Sequence, residues 1–468
     1  MKIKLIAQGF MLLAMALTFW SCAYFGDVDT IQLSAPGLNT LKVQIDVITR
    51  SKLNTRIDYW AKNDSTQIFS SPTSEASINH KLVLTNLKPL QEYAYQVVTL
   101  RGNEEKQSKV YTFSTSDYPM WIQDFFQVIA PDSNAIPKAF KEGYILFSRR
   151  ETPGIIFLMD YKGAIRWYHQ VNGTGFKTVH FTQNQTLLSI LGTEEYPTSY
   201  GNEILEVSMA GDTLVHLKKG EHDFKETIHH EIILNNKNQI VTLSQQEKIV
   251  DLSSVGGAKQ DTVKSDGILV LDRNGKKVWS WSVFDALNPL DDKKILVEKK
   301  DWMHANSVTF DTDGHYLISF YNNGQIWKLD ANSGKVIWKF GKGGDFAISK
   351  EGMFDQGHAV HRNADHELML FDNGTSKQIS RTLAFKLDEQ NKTATLTTQI
   401  ALPSSVYTAR MGSAYKINED AILQCSSKTN TIVLTNKEGR FLWLLKSSFL
   451  PYRAEFIKKE QLLPYLSH

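Results

Sequence analysis

Between residues 157 and 445 the chain repeats one pattern six times: an apolar strand, a polar turn rich in Asp, Asn and Gly, and a second strand that often carries Trp. The copies read FLMDYKGAIRWYH from Phe157, LEVSMAGDTLVHL from Leu205, LVLDRNGKKVWSW from Leu269, IWKLDANSGKVIWKF from Ile326, LAFKLDEQNKTATL from Leu383 and IVLTNKEGRFLWLL from Ile432. One such hairpin cannot bury its own faces, so a series of them is stable only when neighbours stack, and this specifies an all-β, six-bladed β-propeller. The first blade starts near Gly143–Phe147. Thr186–Leu191, Gln239–Leu243, Tyr316–Phe320, Glu367–Phe371 and Ala421–Gln424 read as the inner strands of the others. Chemistry in such a ring gathers where inner strands and their loops converge on the axis, so the residues just ahead of those strands are the candidates.

Lys and Arg number 52 against 50 Asp and Glu, a balance that gives no basis for nucleic-acid binding. Met1–Lys4 is a short basic segment, and the apolar run Leu5–Trp20 ends at Ser21-Cys22, the layout of a signal peptide. Cys22 after a small residue resembles a bacterial lipoprotein lipobox, which implies lipidation at Cys22, a membrane anchor and a place in the cell envelope; ordinary secretion and an uncleaved anchor are the alternatives. Cys425 is then without a partner and no intrachain disulfide is expected. The expected organisation is a signal peptide at 1–21, a β-sandwich at 27–115, a linker with Pro119, Pro131 and Pro137 at 116–139, and the propeller at 140–468. Within the sandwich, the segment from His80 resembles the second half of a fibronectin type III domain, with Leu87, Pro89 and Tyr93 at its Leu-x-Pro-x-x-x-Tyr corner. Insertions at Glu194–Gly201 and Lys248–Asp266 are expected as long loops over one face.

Of the 13 histidines, His80, His169, His180 and His366 read as structural. Three others share a place in the repeat, about ten residues ahead of the assigned inner strands: His230 beside His229, His304 in His-Ala-Asn306, and His358 after Gly357. Blade six has Arg410-Met411-Gly412-Ser413 there. Imidazoles, an amide and an arginine in one concavity are costly to desolvate unless they bind something. Three readings stay open: satisfied histidines in a wet channel, a three-histidine metal site, and an oxyanion pocket in which one histidine is a nucleophile.

His304-Ala305-Asn306, the pair His229-His230, and His358 followed by Phe371-Asp372-Asn373-Gly374 and Ser380-Arg381-Thr382-Leu383 together resemble the bacterial arylsulfate sulfotransferase family. The resemblance runs from about residue 140 to the C-terminus. It implies transfer of a sulfuryl group from an aryl sulfate to a phenol, with no nucleotide sulfate donor, no cofactor and no metal. On it, His358 matches the histidine that takes up the sulfuryl group, His304 and Asn306 match sulfate contacts, and His230 rather than His229 matches the remaining one. The family's arginine on the strand after His-x-Asn is replaced by Tyr321, and Arg410 is the candidate to supply the missing charge, with Ser413 beside it. Asp330 to Trp338 is also similar to the blade-docking motif of quinoprotein-type propellers, so a binding scaffold and a metal-dependent hydrolase remain the alternative functions. The sequence carries no signal for oligomeric state.

Overall fold

The computed structural model describes residues 20–35, 37–463 and 465–466. Two compact units divide the chain, Met1–Asp117 and Tyr118–His468. In the first, an eight-stranded sheet system is organised around the long strand Val43–Ala61, which pairs with Val28–Ser34, Ser77–Leu84 and Glu92–Arg101. Its alternating pattern places Val43, Ile45, Val47, Leu53, Ile57 and Tyr59 in the core with Leu84, Leu87 and Val97. At the Leu87–Tyr93 corner the Tyr93 hydroxyl accepts the Lys88 N–H at 2.8 Å. The expected signal peptide lies outside the described residues except where the backbone of Trp20–Phe25 pairs with Val28–Ser34, and the Cys22 side chain lies outside them too. Among the described residues no helix is long and apolar enough to cross a membrane.

The second unit is a six-bladed β-propeller. From the axis outward, blade 2 consists of Gly175–Phe181, Thr186–Gly192, Glu203–Ser208 and Thr213–Lys218. The inner strands of blades 3 to 6 are Ile228–Leu234, Ala305–Phe310, Gly357–Arg362 and Ser413–Asn418, each packed on the next. Blade 1 is closed by the far end of the chain: Ala454–Ile457 pairs antiparallel with Tyr144–Arg149 and becomes its inner strand. The repeats legible in the sequence are the outer hairpins of the blades, Gly154–Met159 with Ile165–Val171 in blade 1 and their counterparts.

The inner-strand assignment was one strand too far out. Thr186–Leu191, Gln239–Leu243, Tyr316–Phe320, Glu367–Phe371 and Ala421–Gln424 fall on the second strand of each blade, as does Gly143–Phe147 in blade 1. The true inner strands of blades 2 to 6 are interrupted by register slips, so their period-two pattern is weak. The consequence is that the shared histidines stand on or immediately before the inner strands rather than well ahead of them. Within the stretch expected as a linker, Phe126–Ile129 pairs with Phe441–Ser447 as a fifth strand of blade 6. The 248–266 insertion is mostly an extended hairpin, because Ile240–Val250 and Asp261–Leu271 stay paired along their length.

Tryptophans of the outer hairpins lock blade to blade. The Trp167 indole N–H donates to the Met209 carbonyl of blade 2 at 2.9 Å, and that of Trp443 in blade 6 reaches the Tyr161 carbonyl of blade 1 at 2.6 Å. In blade 3 the Trp281 ring lies against the blade 4 turn at Gly334, where a Cβ would come within 2.6 Å of it. All three rings are buried, and in Trp167 and Trp443 the polar N–H is satisfied in the same contact. Trp443→Ala is therefore expected to destabilise this unit by about 3–5 kcal/mol in urea unfolding, against little change for the exposed Val278→Ala.

Candidate active site at the propeller axis

Four successive inner strands slip register near their start: between Phe176 and Thr178, His229 and Ile232, Ala305 and Ser307, and His358 and His361. Backbone φ is positive at His230 (60°), His304 (54°), Ala359 (51°) and Met411 (64°), a conformation that side-chain-bearing residues adopt rarely and that re-aims the chain at a functional site. The result is a continuous run of rings across blades 3, 4 and 5. Centroid separations are 4.9 Å for His229–His230, 5.1 Å for His230–His304, 5.3 Å for His304–Tyr321 and 5.6 Å for Tyr321–His358. Tyr200 covers His229 at 4.8 Å and Tyr452 faces His230 at 5.9 Å.

The hydrogen bonds assign the protons. Asn373 gives its two amide hydrogens to the carbonyls of Thr408 and Met411, each at 2.9 Å, so its Oδ1 faces His358 Nδ1 at 2.6 Å as an acceptor. His358 is thereby held as the Nδ1–H tautomer with the lone pair on Nε2, where the Met411 N–H makes a long bond of 3.3 Å. Burial, then the charges of Arg453 and His304, holds its pKa well below the usual imidazole value. Asn373 is itself anchored: the neighbouring Asp372 carboxylate pairs with Arg381 at 2.6 Å and accepts the Gly374 N–H at 2.9 Å.

His304 has the opposite character. Burial pulls its pKa down, but the 2.7 Å contact of Nδ1 with Asp301 and that carboxylate's charge, with Asp266 behind it, outweigh burial and raise it. His304 is therefore the most readily protonated of the four imidazoles. His229 Nδ1 lies 2.8 Å from His230 Nδ1, and burial together with neighbouring imidazoles keeps both neutral, His229 pushed down to about 3. Asp266, 3.4 Å from His229 Nε2, is pushed up to about 8 by burial.

The structure brings His229, His230, His304, His358 and Tyr321 together, with Asn306 at the start of the same inner strand as its neighbour His304. Asn306 spends its amide N–H on the Gly357 carbonyl at 2.8 Å, and its buried Oδ1 has no partner among the described residues. The Tyr321 hydroxyl donates to the Ala409 carbonyl at 3.0 Å, so the ring is a wall between His304 and His358. Arg410 is exposed, within electrostatic reach of His304 and Tyr321. Ser413 stands apart from the rings: its hydroxyl donates to the Ala454 carbonyl at 2.8 Å and accepts the Ala454 N–H at 3.1 Å, bracing ring closure.

Sequence reasoning missed Arg453. It is buried, pairs with Glu231 of blade 3 and donates to the Asn306 carbonyl of blade 4 at 2.7 Å. Its only signal was its place before the last strand, which means nothing until that strand is known to close blade 1. Asp301 had a local signal, three residues before His304. Among the described residues no group of three or more His, Cys, Asp or Glu side chains is arranged to hold a metal ion.

A six-bladed propeller with one readily protonated and three weakly basic imidazoles meeting at its axis is the class of protein that fold and site define. Residues 131–443, more than half of the chain, match the family described as Arylsulfotransferase (ASST), and the chain belongs to that family of transferases. No curated protein matches the chain. Similar solved structures include a protein of unknown function from Bacteroides caccae, with 8% identity, 68% of this chain and 99% of that one covered, and a TM-score of 0.42. Two more are the β-propeller domain of Cps50 (Swd1) from Myceliophteria thermophila (11% identity, 69% and 89% covered, TM-score 0.38) and virginiamycin B lyase from Staphylococcus aureus (10%, 69% and 99%, 0.33). None of these likenesses bears on activity.

The titrations have opposite signs. The raised pKa of His304 contributes stability that is complete below the unfolded value of 6.5 and is lost as pH rises through the folded value. His230 and His358, depressed, cost stability as pH falls below 6.5, because the unfolded chain then binds more protons. Asp301→Asn is expected to move the His304 ring-proton titration to lower pH in NMR spectra and to erase the stability lost on the alkaline side. The acid-side loss should persist.

Proposed function

We propose that this protein transfers a sulfuryl group from an aryl sulfate to a phenolic acceptor through a sulfo-histidine on His358, without a nucleotide donor. The observation that carries this reading is the tautomer of His358: Asn373 holds Nδ1–H, which leaves the Nε2 lone pair with a long 3.3 Å bond from the Met411 N–H, while His304, its pKa raised, stands across the Tyr321 ring. Nε2 attacks sulfur, the N–S bond forms, and the S–O(aryl) bond breaks. His304, with Nδ1 held by Asp301, delivers its Nε2 proton to the departing phenolate oxygen. Sulfonation leaves a positive imidazolium whose Nδ1–H already donates to the Asn373 amide, and the Met411 N–H, released from the lone pair, turns to a sulfuryl oxygen. In the second half the now neutral His304 removes the proton of the acceptor phenol, which attacks sulfur and restores His358.

Tyr321, in the place of the family's arginine, offers no charge, and its hydroxyl is engaged with Ala409. Arg410 is the side chain we assign to balance the donor's sulfate, with His230 and His304 as further contacts and Asn306 holding the strand start. The basic and apolar N-terminus ending at Cys22 supports export and a lipid anchor in the cell envelope.

Incubation with 4-nitrophenyl sulfate alone should leave a sulfuryl mass adduct, stable in base and labile in acid, on the peptide containing His358. An adduct elsewhere, or none in a preparation that turns over, sinks the assignment. His304→Ala should lower turnover by about 10²-fold with little change in thermal stability. Arg410→Ala should raise the donor KM more than Tyr321→Phe does, since a charged contact is stronger than a neutral hydrogen bond. The reverse order would give Tyr321 the donor-binding role instead.

A further inference from the structure

The imidazoles come from blades 3, 4 and 5. Blades 1 and 2 present two cations instead. Arg150 lies in the turn between Tyr144–Arg149 and Gly154–Met159, and its backbone packs directly on the start of the blade 2 inner strand: a Cβ at Gly175 would fall 1.8 Å from the Arg150 carbonyl oxygen. Two residues on, Lys177 is the residue skipped by the register slip between Phe176 and Thr178. Slips near the same place skip His230 and Glu231 in blade 3, Asn306 in blade 4 and Ala359 and Val360 in blade 5, so in blades 3 and 4 the position of Lys177 is held by residues of the site.

Both cations are poorly compensated. Arg150 Nε and Nη1 are buried without a hydrogen-bond partner among the described residues. Lys177 is 4% exposed and its Nζ has a single bond, to the Tyr196 carbonyl at 3.1 Å. Glu151 and Glu194 offset part of the charge, but the Glu151 carboxylate lies beside Arg149 at 3.8 Å. Burial depresses the pKa of both; the Arg150 charge adds to this at Lys177, and at Arg150 the Arg410 charge adds to it against the opposing pull of Glu151 and Tyr452. A buried guanidinium with free donors next to a buried ammonium is unfavourable in the absence of an anion. Tyr452 is within electrostatic reach of Arg150 and its ring meets that of His230, which links this pair to the imidazoles.

We propose that Arg150 and Lys177 form a second anion-binding subsite, which takes a carboxylate or sulfonate carried on the aromatic ring of the substrate while the imidazoles take its sulfate ester. This rests on the sulfuryl-transfer reading for the orientation of the substrate. The substrate class is then aromatic dianions rather than simple phenyl sulfates, and specificity comes from the two blades that supply no imidazole.

Isothermal titration with phenyl sulfate and 4-carboxyphenyl sulfate tests this on the full chain. The carboxylated ligand is expected to bind about tenfold more tightly, the worth of one charge-assisted contact. Arg150→Gln combined with Lys177→Met should bring the ratio to about one, and Arg150→Lys, which keeps the charge, should retain much of it. If the double variant gives no cooperative thermal transition, Arg150→Gln alone carries the comparison. A wild-type ratio near one, or a ratio that survives in the neutral variants, overturns the subsite. An Arg150-dependent ratio with no turnover of either ligand would overturn sulfuryl transfer and leave the subsite standing. Turnover of both with no preference would do the reverse.

Discussion

A buried guanidinium at the axis holds the ring and its site in one arrangement. Arg453 precedes the strand that closes blade 1, pairs with Glu231 of blade 3 and donates to the Asn306 carbonyl of blade 4. Burial lowers its tendency to stay charged, but Glu231 and the neighbouring tyrosines more than restore it, while Glu231 remains raised by burial despite its partner. Such a pair is a poor source of net stability, because desolvation consumes most of its Coulomb energy, yet breaking it leaves an unpaired charge in the interior. Its effect is on geometry. Three blades that share no hydrogen-bonded strand are tied across the channel, and a ring closed in any other register would strand the charge.

The imidazoles depend on that frame for their differences. Four side chains of one chemical type sit within a few ångströms, and environment alone separates their roles. Asp301 raises the pKa of His304, an uncharged amide makes His358 a directed lone pair, and burial keeps His229 and His230 neutral. Because an amide cannot take up the proton, His358 keeps its Nε2 lone pair, whereas a carboxylate in the place of Asn373 would favour the imidazolium. The surrounding hydrogen bonds serve this arrangement at one remove: Arg381 fixes Asp372, Asp372 fixes the turn at Gly374, and the turn fixes Asn373.

Positive φ at His230, His304, Ala359 and Met411 is the backbone side of the same arrangement. These conformations are disfavoured locally and persist because strands on both sides over-determine them. Aiming several side chains at one axis from inner strands requires departures from regular pleating, which would send alternate residues into the blade faces. The slip at Lys177 belongs to the set, and it brings a cation where blade 3 brings His230 and blade 4 Asn306.

The outer hairpins were readable from sequence because turn residues such as Asp330 and Gly334 and strand residues such as Trp338 act locally, within a dozen positions, and recur in each blade. The shared place of His230, His304 and His358 was readable for the same reason. Tertiary structure alone decided what depends on contacts between distant positions: which strand lies innermost, since slipped strands lose their alternation, and the closure of blade 1 by Ala454–Ile457, some 300 residues from its partner Tyr144–Arg149. Arg453 and Arg150 acquire meaning only through that closure and through the packing of one blade's turn on the next blade's inner strand. Protonation was equally out of reach of the sequence, because His304 and His358 differ by whether a carboxylate or an amide lies against Nδ1, and that is set by the fold around identical side chains.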